Sequence, residues 1–91
     1  MTDEGKRLTR EELLEVLQET RAQYRVHAGS VFEHNKSGAM YVVKGVALQE
    51  KDLSPVVIYS PWEDNESMAR MHPVFTRPAA EFAERFTLRR I

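Results

Sequence analysis

The chain has 91 residues, a length that fits one domain with a single modest core. Hydrophobic residues make up 42% of the sequence and charged residues 30%, which is typical of a folded protein and excludes a disordered chain. The formal net charge of −1 gives no global attraction to nucleic acid or to an anionic membrane, so such a contact would need a local basic patch.

The N-terminal part predicts a leader followed by an amphipathic helix. Residues 1–8 lead to no apolar run of signal-peptide or membrane-spanning length, so we expect a flexible leader and no membrane contact. The absence of cysteine suits a reducing compartment, and we expect a cytoplasmic protein. Thr9 and Glu12 have the spacing of a capping box and predict a helix over residues 10–23. Its inward face is expected to hold Leu13, Val16, Leu17 and Tyr24.

The middle of the chain predicts short β-strands, because apolar runs alternate with turn-forming residues. The runs lie at residues 31–33, 40–48 and 56–59, with a turn at Gly29-Ser30 and a hairpin loop over residues 35–38. Gly45 inside the longest run predicts a β-bulge or a sharp bend. The run at residues 56–59 is so apolar that we expect a central, buried strand. Residues 68–71 fit either a strand or a helical turn.

The C-terminal part predicts a strand that turns into a short helix at the Arg77-Pro78 step, since Pro78 suits the first position of a helix. Residues 87–91 suit a final strand. The buried helical face is expected to hold Ala79, Phe82, Ala83 and Phe86.

These elements predict a single α+β, β-rich domain over residues 9–91. The short connections allow only antiparallel pairing. We therefore expect a small bent antiparallel sheet or an SH3-like β-barrel, with an N-terminal amphipathic helix and a short C-terminal helix.

Three spaced segments have a pattern in common with a known family. They are Tyr24-Arg25-Val26-His27-Ala28-Gly29, Val56-Val57-Ile58-Tyr59, and Phe75-Thr76-Arg77-Pro78 with Phe82 and Glu84. In order and character they resemble the bacterial and phage family called domain of unknown function 1653, although the first segment departs from the family pattern at Val26 and Ala28. The resemblance implies a compact β-rich domain with no established activity. The positions that it carries over are Tyr59, Arg77 and Pro78.

Arg77 is the first candidate binding residue, since it precedes a predicted helix N-terminus, where backbone N–H groups favour anions. Tyr59 and Trp62 offer aromatic surfaces for a ring or a base. The alternative interpretation is structural: Arg77 pairs with an internal carboxylate such as Glu81 or Glu84 and fixes the corner between strand and helix.

Little in the sequence supports a metal site or a catalytic site. His27, His34 and His72 are scattered without the spacing of metal ligands, so we expect no metal and no cofactor. The acidic residues 63–66 look solvated, and no nucleophile or tuned acid–base pair stands out, so we expect no enzyme.

The sequence thus favours a small binding domain that uses Tyr59, Trp62 and Arg77 to hold a small anionic or nucleotide-like ligand, or a peptide. One alternative is a protein-interaction or structural module, such as a homodimer. A further alternative is weak nucleic-acid binding through the basic residues between 85 and 90, which the net charge does not favour.

Overall fold

Two helices and five strands make up the part of the chain that the structure, a computed structural model, describes, namely residues 8–62 and 73–91. In chain order they are α1 (Arg10–Tyr24), β1 (Val31–His34), β2 (Met40–Leu48), β3 (Pro55–Pro61), β4 (Phe75–Pro78), α2 (Ala79–Arg85) and β5 (Phe86–Arg90). The predicted leader, apart from Leu8, lies outside the described residues. So do the acidic segment 63–66, the segment 68–71 and His72.

The capping box that was predicted for α1 is present. The backbone N–H of Glu12 donates to Thr9 Oγ1 over 3.1 Å, and the backbone N–H of Thr9 donates to Glu12 Oε1 over 2.8 Å. The helix ends at Tyr24, where Arg25 adopts a left-handed conformation with φ 59° and donates its N–H to Arg21 O. The four residues expected on the inward face are all partly buried, and α1 packs against β2, β3 and α2.

The sheet is antiparallel throughout, in the order β4-β3-β2-β1-β5. Strands β1 to β4 follow one another as neighbours, and β5 returns to the free side of β1. The register of β2 against β3 shifts between Val43 and Gly45, which confirms the predicted bulge. The apolar strand is β3, which pairs on both sides and buries Val56, Val57, Tyr59 and Ser60.

The sheet is open, so the antiparallel-sheet alternative is confirmed, whereas the SH3-like barrel is wrong. β4 and β5 lie at the two ends of the sheet and do not pair with each other. The physical reason is α2, which follows β4 directly, leads directly into β5, and contacts β3, β4 and β5. A helix therefore joins the two edges where a closed barrel would have a ladder of hydrogen bonds.

The core is aromatic and centres on Phe82 of α2, which is fully buried. Its ring centroid lies 4.2 Å from that of Phe86 in a stacked arrangement, 5.0 Å from that of Phe32 and 5.1 Å from that of Tyr59. Further buried core residues come from the segment after α1, from the sheet and from α2: Val26, Val43, Val57 and Ala79.

Two details of the C-terminal segment differ from the sequence prediction. The helix begins at Ala79, and Pro78 occupies the N-cap position one residue earlier. Ala83, expected to be buried, is exposed. Because the chain changes from helix to strand at Phe86, Ala79 and Phe82 are enough to fill the inward side of this short helix.

Replacing Phe82 tests whether its ring is the centre of the core. We expect Phe82→Ala to lower the free energy of unfolding by about 3–5 kcal/mol, because a buried ring is lost and a cavity remains. Urea denaturation followed by circular dichroism measures the change.

Ala83→Ser, on the exposed side of the same helix, is the control and should stay within about 0.5 kcal/mol of the parent. If Phe82→Ala does not fold, Phe82→Leu serves in its place, with an expected loss of about 1–2 kcal/mol. A change below 0.5 kcal/mol in either Phe82 variant would contradict the proposed core.

Candidate functional site

Arg77 has three partners within its own domain. Its Nε donates to Tyr59 Oη over 3.3 Å, and its Nη1 donates to Glu81 Oε2 over 3.1 Å. The guanidinium carbon lies 5.6 Å from the ring centroid of Phe86, close enough for a cation–π contact. The guanidinium is therefore held against the rim of the aromatic core, and the pairing with Glu81 that the structural interpretation expected is present.

Trp62 lies elsewhere. Its backbone N–H donates to Met40 O over 3.1 Å, and its ring centroid is 5.4 Å from the guanidinium carbon of Arg90 in β5. The ring neighbours of Tyr59 are instead Tyr41, Phe75, Phe82 and Phe86. The structure thus brings Tyr59 and Arg77 together and puts the Trp62 ring against Arg90, with 39% of Trp62 exposed.

One carboxylate serves two arginines on this side of α2. Glu81 Oε2 accepts from Arg77 and also lies 3.5 Å from Arg85 Nε. The three side chains together keep one positive charge that Glu81 does not neutralise. The Arg85 side chain is the more exposed of the two cations, at 57% against 27% for Arg77.

A pocket of about 160 Å³ lies beside Arg85. It opens between the end of β1, the β1–β2 hairpin loop and the last turn of α2. Its lining residues are His34, Asn35, Lys36, Glu84 and Arg85, and we call it the hairpin pocket.

Asn35 joins the hairpin loop to the end of α2. Its backbone N–H donates to Arg85 O over 2.9 Å, and its Nδ2 donates to Glu84 O over 3.2 Å. Its Oδ1 accepts from Thr87 Oγ1 over 2.6 Å. These bonds satisfy two carbonyl groups at the helix C-terminus and fix the distance between the two walls of the pocket.

His34 presents a hydrogen-bond donor of defined position. The backbone N–H of Ser37 donates to His34 Nδ1 over 3.3 Å, and Ser37 Oγ lies 3.1 Å from the same nitrogen. Because a backbone N–H can only donate, Nδ1 must be the unprotonated nitrogen, and the proton of the neutral ring resides on Nε2. The ring also packs edge-on against Phe86, with centroids 5.0 Å apart, which holds its orientation.

Lys36 completes the positive side of the hairpin pocket. Within residues 8–62 and 73–91 no ion pair involves Lys36, and none involves Glu84, although both line the pocket. The residues that line the pocket therefore include two cations, Lys36 and Arg85, one histidine and one acid, Glu84.

Little in the sequence indicates this pocket. His34 is an isolated histidine, Lys36 belongs to the predicted hairpin loop, and Arg85 belongs to a basic segment near the end of the sequence. The hydrogen bond between Asn35 and Glu84 spans 49 positions, and no local pattern predicts such a contact. The single local sign was the pair Lys36-Ser37 in a turn, which lacks the glycines of a phosphate-binding loop.

The basic residues between 85 and 90 are largely engaged within the chain. Arg89 Nη2 lies 2.7 Å from Glu33 Oε1, Arg85 contacts Glu81, and Arg90 packs over Trp62. Arg89 and Arg90 are therefore the more engaged of the three, whereas Arg85, with its longer contact, keeps an exposed guanidinium.

Among residues 8–62 and 73–91, no three His, Cys, Asp or Glu side chains come together as metal ligands would. None of the helices in those ranges has the length and apolar character needed to cross a membrane.

Comparison with models of known protein families, with curated proteins and with solved structures finds no match. The resemblance to domain of unknown function 1653 therefore stays a prediction.

Comparing the two arginines that share Glu81 tests the structural role of Arg77. We expect Arg77→Ala to lower the free energy of unfolding by about 1–2 kcal/mol, because it removes a hydrogen bond to a buried tyrosine, an ion pair and a cation–π contact. Thermal denaturation should show a melting temperature lower by about 4–8 °C for each kcal/mol lost. Arg85→Ala loses only a solvent-screened pair and should cost less than about 0.5 kcal/mol. Equal effects of the two variants would contradict the assignment.

Proposed function

We propose that the protein is a small non-enzymatic binding domain for ligands that carry an anionic group, and that the hairpin pocket is its binding site. One observation carries this proposal. Three residues that carry N–H donor groups, His34, Lys36 and Arg85, come from separate elements and line one pocket. Such a convergence of donors suits carboxylates, phosphates and the anionic parts of nucleotides or peptides.

The hairpin pocket suits an external anion better than the side chain of Arg77 does. An anion that binds Arg77 must displace Glu81, which already accepts over 3.1 Å. Lys36 has no acidic partner in the described chain, and Arg85 has only a long contact of 3.5 Å. The cost of rearranging internal partners is therefore lower at the hairpin pocket.

An enzymatic role is not proposed. Within residues 8–62 and 73–91, no metal-ligand cluster forms and the chain has no cysteine nucleophile. Binding alone accounts for the groups that the pocket offers.

A panel of anions tests this function. Inorganic phosphate, citrate, acetate, nucleoside monophosphates and a short acidic peptide are titrated at constant ionic strength by calorimetry and thermal shift. A ligand at 100 times its dissociation constant should stabilise the fold by about 2.7 kcal/mol, a shift of several degrees. Lys36→Gln should weaken binding about tenfold, because a charge-assisted hydrogen bond is lost.

Lys44→Gln is the matched control for this panel. It makes the same charge change at an exposed position of β2, outside the hairpin pocket, and should leave the affinity within about twofold. Equal losses in the two variants would mean non-specific attraction by net charge. No binding of any anion would overturn the proposal.

A second candidate function is protein interaction, including a homodimer. The observation that favours it is the exposed contact between Trp62 and Arg90, since these residue types dominate the binding energy of protein interfaces. Val74 and Phe75 add exposed apolar surface at the start of β4, with 60% and 40% of each residue accessible. These residues are all outside the hairpin pocket, so the two functions are physically independent.

Self-association can be followed through Trp62, because it is the only tryptophan in the sequence. If a second copy covers its ring, the fluorescence maximum shifts to the blue as concentration rises, and sedimentation velocity shows a dimer. Trp62→Ala should then weaken the dimer about 30-fold, the loss of a typical hot spot of about 2 kcal/mol. Leu14→Ala removes another exposed apolar side chain, on α1, and should have little effect. A monomer with unchanged fluorescence up to millimolar concentration would exclude the homodimer.

A further inference from the structure

We infer that the hairpin pocket takes a single tetrahedral dianion, the terminal phosphoryl group of a phosphomonoester or free phosphate. This inference rests on the proposed function, since it specifies which anionic group the pocket accepts. It is carried by the volume of the pocket and by its donor groups, and Glu84 provides a test of it.

The volume limits the ligand to one small group. A cavity of about 150 Å³ holds one benzene-sized molecule, and the hairpin pocket has about 160 Å³. Sites that enclose drug-sized molecules occupy about 300–1,000 Å³. The pocket therefore has room for a phosphoryl group, whereas the sugar and base of a nucleotide would lie outside it.

The donor groups of the lining match a phosphoryl group. Lys36 and Arg85 each bring one positive charge and Glu84 brings one negative charge, so the lining has a net charge of +1, and the ring of His34 adds a further N–H donor. A phosphomonoester carries about −1.5 to −2 charges at pH 7 and three strong acceptor oxygens. Three donor groups from β1, the hairpin loop and α2 can address three oxygens. A carboxylate carries one charge and has its two oxygens in one plane, so it fits donors that come from three separate elements less well than a tetrahedral group with three oxygens does.

The backbone that carries the three donors and the ring of His34 are held in place before a ligand arrives. Asn35 ties the hairpin loop to the carbonyl groups of Glu84 and Arg85, and Ser37 fixes the unprotonated nitrogen of His34. A preorganised set of donors loses less conformational entropy on binding than a set of freely moving side chains.

Glu84 provides a distinguishing test, since it is the acidic residue that lines the pocket and no ion pair within the described ranges neutralises it. Its negative charge repels a dianion more strongly than a monoanion. Removal of this charge should therefore strengthen phosphate binding, an effect opposite in sign to that of removing a group that contacts the ligand.

The experiment compares four probes on the whole chain at pH 7.5 and constant ionic strength, with affinity measured by calorimetry. The probes are inorganic phosphate, glycerol 3-phosphate, dimethyl phosphate and acetate. We expect the two dianions to bind at least tenfold more tightly than dimethyl phosphate and acetate, which carry one charge each. Tighter binding of glycerol 3-phosphate than of phosphate identifies a phosphomonoester as the ligand class, and the reverse order identifies free phosphate.

Variants that remove either a positive or a negative charge from the hairpin pocket complete the test. Arg85→Gln should weaken phosphate binding about tenfold, and Glu84→Gln should strengthen it about two- to fivefold. Glu19→Gln removes an acid from the exposed side of α1 and should have no such effect. If acetate binds as tightly as phosphate, or Glu84→Gln leaves phosphate binding unchanged, this inference is overturned while the proposed function stands. If none of the four probes binds at 10 mM, this inference is overturned, and the proposed function falls with it only if citrate, the nucleoside monophosphates and the acidic peptide also fail to bind.

Discussion

The stacking of Phe82 on Phe86 is the contact on which the rest of the architecture depends. The two rings lie 4.2 Å apart and nearly parallel, at the point where the chain changes from α2 to β5. This contact turns β5 back towards β1 while α2 stays against the core. It also explains the open sheet, because the space in which β4 and β5 would pair is filled by the helix that carries Phe82. A fully buried aromatic residue thus determines both the topology and the position of the last strand.

The hairpin pocket is built on the same corner. Phe86 supports the ring of His34, and the carbonyl group that ends α2 at Arg85 accepts from the backbone of Asn35. The pocket therefore has a rigid base although its charged side chains are exposed. The arrangement separates two tasks: apolar packing sets the geometry, and exposed charges supply the interaction with a ligand.

Local chemistry predicted much of the fold, and long-range packing decided the rest. The capping box of Thr9 and Glu12, the bulge at Gly45 and the turn into a helix after Arg77 depend on nearby residues, and all three are present. The burial of Ala83 and the closed barrel were wrong, because both depend on how α2 lies against the sheet. Periodicity gives the faces of a helix, but it does not say where the helix ends or what its inward side must fill.

The candidate site likewise depends partly on local sequence and partly on contacts between residues that are far apart in the sequence. Tyr59 and Arg77 lie together because their strands pair directly, with Val57 opposite Arg77 and Tyr59 opposite Phe75. Trp62, three residues from Tyr59 in the sequence, contacts Arg90 of β5, a contact that no local pattern indicates. An arginine next to a helix also attracts its own carboxylates, and Glu81 lies four residues further along, within reach. An internal acid at that spacing satisfies Arg77 before any ligand does, whereas Lys36 has no acidic partner within residues 8–62 and 73–91 and therefore stays available to an external anion.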